Sequence, residues 1–402
     1  MSREEVNGGL HVEKMKKTHR IQIAKRNFYI FLLVMIANII LLEPAYFSTI
    51  AVVEKIFNIS KILVSLVIIY AYIKTEHNSN FYILFPIIYE LCVLFSTCIN
   101  SANYKSAVLE ISYVVSLCLL TQVMINKNVN LYIRATYYVL EIYSYINLFS
   151  YIIHPNGLYI NGNGFPCYFL GYRNTAYQYM FPMIAFSTIN SIMQYRKLKL
   201  RVFIDILCYM IFSIKTNTMT GCILGIIYLV GLCLNKLFIY IKVRWVFLTG
   251  FFLSFLVVIV KVQNLFAHLI TTRLKRNITF TGRTVLWDRL LHFIAEKPIF
   301  GWGIVDMPQL TKIYWATHSH NQFLQIVFQC GIAGLILFIF MLMVYASRFD
   351  NSKSTGYKEI FVILMIVYMI SFLTEGSVKP IFYSLLLLMA ENNKLGKPLS
   401  CN

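Results

Sequence analysis

Charge is scarce in this 402-residue chain. Asp, Glu, Lys and Arg make up 13% of it, about half their share in a soluble domain. Acidic residues are scarcest, 17 against 36 basic ones, for a formal net charge of +19. With 58% hydrophobic residues and a mean hydropathy of +0.65, one soluble core could not cover the apolar surface. A soluble enzyme, a disordered chain and a secreted disulfide scaffold are excluded. Nucleic acid is not expected as a partner, because no soluble basic domain exists to hold it. The nine cysteines (Cys92, Cys98, Cys118, Cys167, Cys208, Cys222, Cys233, Cys330 and Cys401) contain no Cys-x-x-Cys pair and no metal-ligand spacing. Most lie in apolar runs and read as small buried side chains. A secretory signal is not expected either. The first apolar run is too long for one and lacks a small-residue cleavage site. Residues 1–27, with Lys14, Lys16, Lys17, Arg20, Lys25 and Arg26, read as a cytoplasmic tail, and Met15 is an alternative start.

What the chain does have is long hydrophobic runs. They fall near 28–50, 59–73, 81–99, 107–125, 131–153, 175–193, 202–215, 218–240, 245–262, 321–345, 360–374 and 380–390. Strands are not expected, because the runs are continuous rather than alternating. The runs at 202–215 and 380–390 are short and are expected to be tilted, broken or packed against protein. Basic residues collect in alternate segments, such as the tail, Arg196 to Arg201, Lys236 to Arg244 and Arg348 to Lys358. By the positive-inside rule both termini are cytoplasmic. The fold class is therefore an all-α polytopic membrane protein with about twelve transmembrane helices. Residues 28–262 hold the first nine, 263–320 form one large extracytoplasmic loop, 321–390 hold the last three, and 391–402 are a second cytoplasmic tail. Five charged residues lie inside runs: Glu90, Glu110, Arg134, Glu141 and Asp205. They read as interior polar groups that fix helix packing. Arg134 and Glu141 share a helix face but are too far apart to pair.

The outer loop breaks the charge pattern with Lys261, Arg273, Lys275, Arg276, Arg283, Arg289, Lys297 and Lys312. Topology does not explain them. A solvated surface or contact with lipid headgroups is one reading, and a site for an anionic substrate is another. Residues 283–296 have helical period. Leu286, Leu290 and Phe293 share a face with Trp287, Leu291 and Ile294, opposite Arg289, His292 and Glu296. That pattern predicts an amphipathic helix on the membrane surface, ended by Lys297-Pro298. Arg283, one turn before Trp287, would point its planar fork where a lipid pyrophosphate lies. The alternative is an interfacial anchor.

The next run opens with His318-Ser-His320-Asn321. His318, Gln322, Gln325 and Gln329 share one helix face, and such a stripe must line a cavity or bond to other helices. His320 is expected in the first helical turn, where the dipole keeps imidazole neutral and suited to take a proton from a hydroxyl. A metal on the two histidines with Asp306 lacks a convincingly spaced third ligand, so no metal and no cofactor are expected. Gly331 and Gly334 would let a neighbouring helix approach closely.

Arg283 followed by Trp287, then Pro298-x-x-Gly301-x-Gly303, then His320-Asn321-x9-Gly331-x-x-Gly334, resembles the shared region of the O-antigen ligase and polymerase superfamily. The resemblance covers about 50 residues, and the layout of spans with one large late outer loop is similar as well. It implies a metal-independent glycosyltransferase that uses undecaprenyl-pyrophosphate-linked glycans. His320 would be the base and Arg283 a pyrophosphate contact. Phe169-Leu-Gly171-Tyr-Arg173-Asn174 is similar to an outer stretch before a mid-chain span, which brings in Arg173. Many members have Ser-Arg at the outer end of a central helix. This chain has Ser213-Ile-Lys215-Thr216 there, so Lys215 or Arg173 would supply the second contact. His318, Asn321 and Trp287 complete the expected substrate-binding set.

The expected function is polymerisation of lipid-linked repeat units into a capsule, exopolysaccharide or O-antigen, outside a bacterial cytoplasmic membrane. A chain-length regulator and a flippase are the candidate partners. The nearest rival is a ligase that sends the glycan to a lipid core or a protein. A flippase for lipid-linked sugars is the rival of another class; it predicts the spans and buried charges but not the loop carrying Arg283 and His320.

Overall fold

A computed structural model describes residues 3–75, 81–100, 102–262, 282–305, 318–352, 356–376 and 380–395, with side chains from Gln22 onward. Arg273, Lys275, Arg276, Asp306 and Lys312 lie outside these residues. The helices are α1 Arg3–Leu41, α2 Ala51–Thr75, α3 Leu84–Ile99, α4 Tyr104–Ile153, α5 Arg173–Tyr195, α6 Leu200–Lys215, α7 Met219–Cys233, α8 Val243–Phe255, α9 Arg283–Glu296, α10 Gln322–Asp350, α11 Lys358–Phe372 and α12 Pro380–Ala390. Each of the twelve apolar runs overlaps one of these helices. Those at 107–125 and 131–153 are joined as α4 across a kink at Asn128 (φ −163°, ψ 84°). Six described helices are long and apolar enough to cross a membrane: α1 from Gln22, α2, α3 with the 3₁₀ turn from Phe81 that precedes it, α4, α8 with its π-helical extension, and α10.

Burial separates the periphery from the core. On α2, Ile59, Leu63, Leu66, Val67, Tyr70 and Ile73 are all exposed, as expected for side chains whose solvent is lipid. Every residue of α12 is buried. Eleven residues rise only about 16 Å, so α12 is short because protein, not lipid, surrounds it. Helix α1 runs unbroken from Arg3 to Leu41. Two local expectations change. The run at 28–50 stops near Pro44, where a 3₁₀ turn at Phe47–Thr49 follows. Strands do occur, but between runs: β1 Tyr159–Ile160, β2 Pro166–Tyr168 and β3 Gly171–Tyr172 form a small antiparallel sheet in that order.

Hydrogen bonds sort the helix termini into two ends. At one end, Tyr46 N–H donates to the Phe169 carbonyl (3.1 Å) and Asn103 N–H to that of Ile304 (3.2 Å). There too the Arg173 guanidinium donates to the Thr216 carbonyl (2.8 Å). This end gathers the segments at 169–174, 213–218 and 298–304. At the other end, Tyr345 donates to the Tyr82 carbonyl (2.9 Å), Lys394 to Asn126 (2.6 Å), and Arg244 pairs with Asp350 (3.0 Å).

Of the charged groups inside the runs, Glu141 and Asp205 have buried partners, and Arg134 and Glu141 do not pair, as their spacing indicated. Glu141 pairs with Arg201 of α6, through Nε at 2.7 Å and through Nη2. It also accepts from the Tyr137 hydroxyl at 2.6 Å. Asp205 accepts from Tyr145 (2.7 Å), Tyr137 (2.9 Å) and Ser187 (2.5 Å). Arg134 is exposed and stands over the rings of Phe31 and Tyr138.

A candidate active site at the motif end

A broken helix organises the site. Within α10, Gly331 is non-helical (φ 64°, ψ −164°). Into the gap docks the turn Pro298–Gly303. Trp302 and Gly303 N–H groups donate to the freed carbonyls of Phe328 and Gln329 (2.8 Å each). The freed N–H groups of Ile332 and Ala333 donate to Pro298 (2.8 Å) and Ile299 (3.1 Å). A Cβ on Gly331 would lie 2.1 Å from the Ile299 oxygen, so only glycine fits. Gly331 therefore admits a loop rather than a neighbouring helix, and Gly334 faces Cys330 of its own helix. The C-terminal end of α3 clamps the turn. Ser96 donates to the carbonyls of Gln329 (2.7 Å) and Phe300, and Asn100 to that of Gly301 (2.9 Å).

Helix α9 begins and ends where the 3.6-residue period placed it, but its apolar face is not in lipid. Leu286, Trp287, Leu290 and Ile294 are buried with Val258, Leu324 and Phe328 of the neighbouring segments. Trp287 is 2% exposed, and its indole N–H donates to the Ser319 carbonyl (2.9 Å). Its position is that of a support for the histidine loop, not of a surface for substrate. Asn321 is likewise fully buried. It caps α10 by accepting from Leu324 N–H (3.0 Å) and also accepts from Ser254 (3.0 Å), a use of Asn that satisfies an orphan helix donor. So α10 starts at Gln322, and His320 stands before the cap rather than in the first turn. Its φ of +53° is a left-handed conformation that costs a non-glycine residue energy.

That loop turns both imidazoles toward one carboxylate, Glu375, which follows α11 and is 2% exposed. Its Oε2 faces His318 Nε2 at 3.6 Å and His320 Nδ1 at 3.5 Å. Its Oε1 accepts from Asn174 (3.1 Å) and lies 3.5 Å from Arg283 Nη2. His318 Nδ1 accepts from the His320 N–H (3.2 Å), which leaves the proton on Nε2, toward the carboxylate. Gly376 has no room for a side chain, with Ser319 Oγ 2.8 Å from where a Cβ would be. His318, His320 and Glu375 offer three atoms within 4.8 Å of one another, the carboxylate that the two histidines lacked on spacing alone.

Arg173 reaches the 213–218 corner rather than Glu375. It bonds Thr216 and Tyr172 (Nε, 3.0 Å) while its neighbour Asn174 holds the carboxylate. Lys215 is exposed at that corner. Arg283, Arg173, His318 and His320 are thus gathered at one end. Glu375 escaped the sequence reading, although it is the single acidic residue between Glu359 and Glu391. The glutamine stripe does line a cavity, of about 170 Å³, with His318 and Gly376 at one side.

Fold and site define a polytopic helical protein with a histidine–carboxylate centre beside guanidinium groups. Residues 202–339 match the family model described as O-antigen ligase. Proteins of Rickettsia conorii and Rickettsia felis, each named "Putative polysaccharide ligase", are 31% and 30% identical over 107 aligned residues. Those alignments cover 22% of this chain and 26% of each relative, so the chain spans about a quarter of the length of the curated relatives it matches. No solved structure matches. These matches support a likeness of residues 202–339 to the O-antigen ligase and polymerase superfamily. Glu375, Arg173 and Asn174 fall outside the matched stretch.

Proposed function

We propose that the protein polymerises undecaprenyl-pyrophosphate-linked oligosaccharide repeat units, with the motif end on the outer side of the cytoplasmic membrane. The observation that carries this reading is the Glu375 carboxylate set between Arg283 and the two histidines. Glu375 turns Nδ1 of His320 toward itself and leaves Nε2 for an incoming hydroxyl. Contacts of about 3.5 Å are long, as catalytic hydrogen bonds often are before substrate binds. An acceptor hydroxyl gives its proton to His320 Nε2, and its oxygen bonds to the sugar carbon that carries pyrophosphate. The bond from that carbon to the pyrophosphate oxygen breaks. The charge leaves on pyrophosphate, and Arg283 and Arg173 neutralise it. Pyrophosphate is already a good leaving group, so positioning and charge carry most of the work.

The test is polymer formation from lipid-linked repeat units by purified protein. His320→Ala at equal membrane level is expected to abolish polymer and leave single units. Normal chain lengths from that variant would remove the base. The ligase reading draws support from the description of the matched family and from the names of the relatives. A ladder of lengths on the lipid carrier favours polymerase, and one transfer to a different acceptor favours ligase.

A further inference from the structure

Arg134 is a charge with no counter-ion in the protein. It stands in an apolar part of α4, is exposed, and among the described residues makes neither a hydrogen bond nor an ion pair. Its contacts are with two rings, Phe31 of α1 at 5.7 Å and Tyr138, one turn on, at 5.6 Å. A guanidinium keeps its charge and carries five N–H donors. On a face whose solvent is lipid, those donors have to be met by water or by a lipid headgroup.

A second guanidinium shares the same tyrosine. Arg201, in the first turn of α6, stands 5.1 Å from the ring centres of both Tyr138 and Tyr137. Its Nε and Nη2 bind Glu141, while Nη1 has no hydrogen bond among the described residues. The Arg201 side chain remains 51% exposed. Helices α1, α4 and α6 thus bring two arginines against one ring. Both lie toward the end opposite the motif end. Arg134 is six residues past the kink at Asn128, a rise of about 9 Å, and Asn126 on the other side of that kink accepts the bond from Lys394. Arginine reaches headgroup level from such a depth by extending its stem along apolar surface. The chain leading into α6 adds Arg196, Lys197 and Lys199. Glu141 and Asp205, the carboxylates next to this group, are already taken up by Arg201, Tyr137, Tyr145 and Ser187.

We propose that Arg134 and Arg201 form a binding site for the phosphate of an anionic phospholipid, phosphatidylglycerol in kind, in the leaflet at that end. Phosphodiester oxygens accept from the planar guanidinium fork. Exposed apolar side chains flank the arginines for the acyl chains, among them Leu32 and Leu33 on α1 and Phe203 and Ile204 on α6. The lack of a spare carboxylate sets the choice of headgroup. The ammonium of a zwitterionic lipid would meet only like charge there, whereas a glycerol headgroup would not. The lipid joins α1 and α6 across α4. The site stands apart from the Glu375 centre, so the assignment holds or fails independently of the reaction proposed there.

Native mass spectrometry of the detergent-solubilised, delipidated protein tests it, with dioleoyl-phosphatidylglycerol and dioleoyl-phosphatidylethanolamine as probes. Wild type is expected to bind phosphatidylglycerol about tenfold tighter or more, and Arg134→Gln to lose about tenfold of that affinity. Arg134→Lys keeps the charge without the fork and should fall between them. Lys25→Gln with Arg26→Gln removes two exposed charges from α1, one more than Arg134→Gln, and should weaken binding less. Equal affinity for the two lipids overturns the proposal. So does unchanged phosphatidylglycerol binding in Arg134→Gln, or a larger loss from the α1 pair, which would make the attraction a diffuse one. Arg134 holds no bond inside the protein, so Arg134→Gln is expected to insert. If it does not, Arg134→Lys decides: affinity equal to wild type overturns the fork, and a severalfold loss supports it.

Discussion

Two buried carboxylate clusters occupy this bundle, and they are finished differently. Around Glu141 and Asp205 the oxygens are hydrogen-bonded by Arg201, Tyr137, Tyr145 and Ser187. Around Glu375 one oxygen is held by Asn174, while Oε2 meets two imidazoles at 3.5 and 3.6 Å and has no hydrogen-bond partner. The first cluster ties α4, α5 and α6 together. The second keeps acceptor capacity in reserve at a place where side chains remain partly accessible. Burial of charge alone does not mark a site; incomplete satisfaction beside groups that can exchange protons does.

Removing the proton acceptor should separate the clusters most sharply. His320→Ala is expected to lower polymer formation about a hundred- to ten-thousand-fold, with the thermal unfolding of the detergent-solubilised protein nearly unchanged. Glu375→Gln comes next. It keeps shape and hydrogen-bonding capacity but no longer orients an imidazole by charge, so a fall of roughly a hundredfold in kcat is expected. A rate within a fewfold of wild type would make Glu375 a packing residue like Asp205. At the other cluster, Asp205→Asn should cost about 1–3 kcal/mol of stability through lost charge-assisted bonds. Per-molecule activity below the melting transition should stay as it was, and a lost activity in well-folded protein would erase the contrast. Trp287→Phe is the mildest change. It keeps most of the buried ring area and loses one bond to Ser319, about 0.5–1.5 kcal/mol, seen as a modest activity loss from a loosened histidine loop.

Much of this contrast was legible in local pattern. The period of residues 283–296 gave α9, and the spacing of His318, Gln322, Gln325 and Gln329 gave a cavity-lining stripe. An amphipathic helix reads the same whether its apolar face meets lipid or protein, so the burial of Leu286 and Leu290 against Val258 and α10 was not legible. Nor was Glu375. It sits beyond the motif, and its partners Arg283 and Asn174 are 92 and 201 residues away along the chain. The motif asparagine read as a substrate group because a helix cap and a ligand contact ask for the same amide. The glycine pair read as a helix contact because a close approach leaves the same small residue whichever backbone arrives.

The break at Gly331 bears on how the protein is made. Gly331 lies nine residues into α10, roughly 14 Å below its start at 1.5 Å per residue. A backbone carbonyl or N–H left bare at such depth in hydrocarbon costs several kcal/mol. Four such groups are answered by the turn Pro298–Gly303, which is synthesised before α10. The span is therefore unable to settle in the bilayer by itself in its final form, and reaches that form when the preceding turn slides into the gap and α3 closes over it. Defects in Gly301, Gly303 or Gly331 should appear to the cell as an insertion failure, cleared by membrane proteolysis, rather than as a slow enzyme. Gly301, Gly303 and Gly331 are thus explained by assembly, with no role at the proposed site needed to account for their spacing.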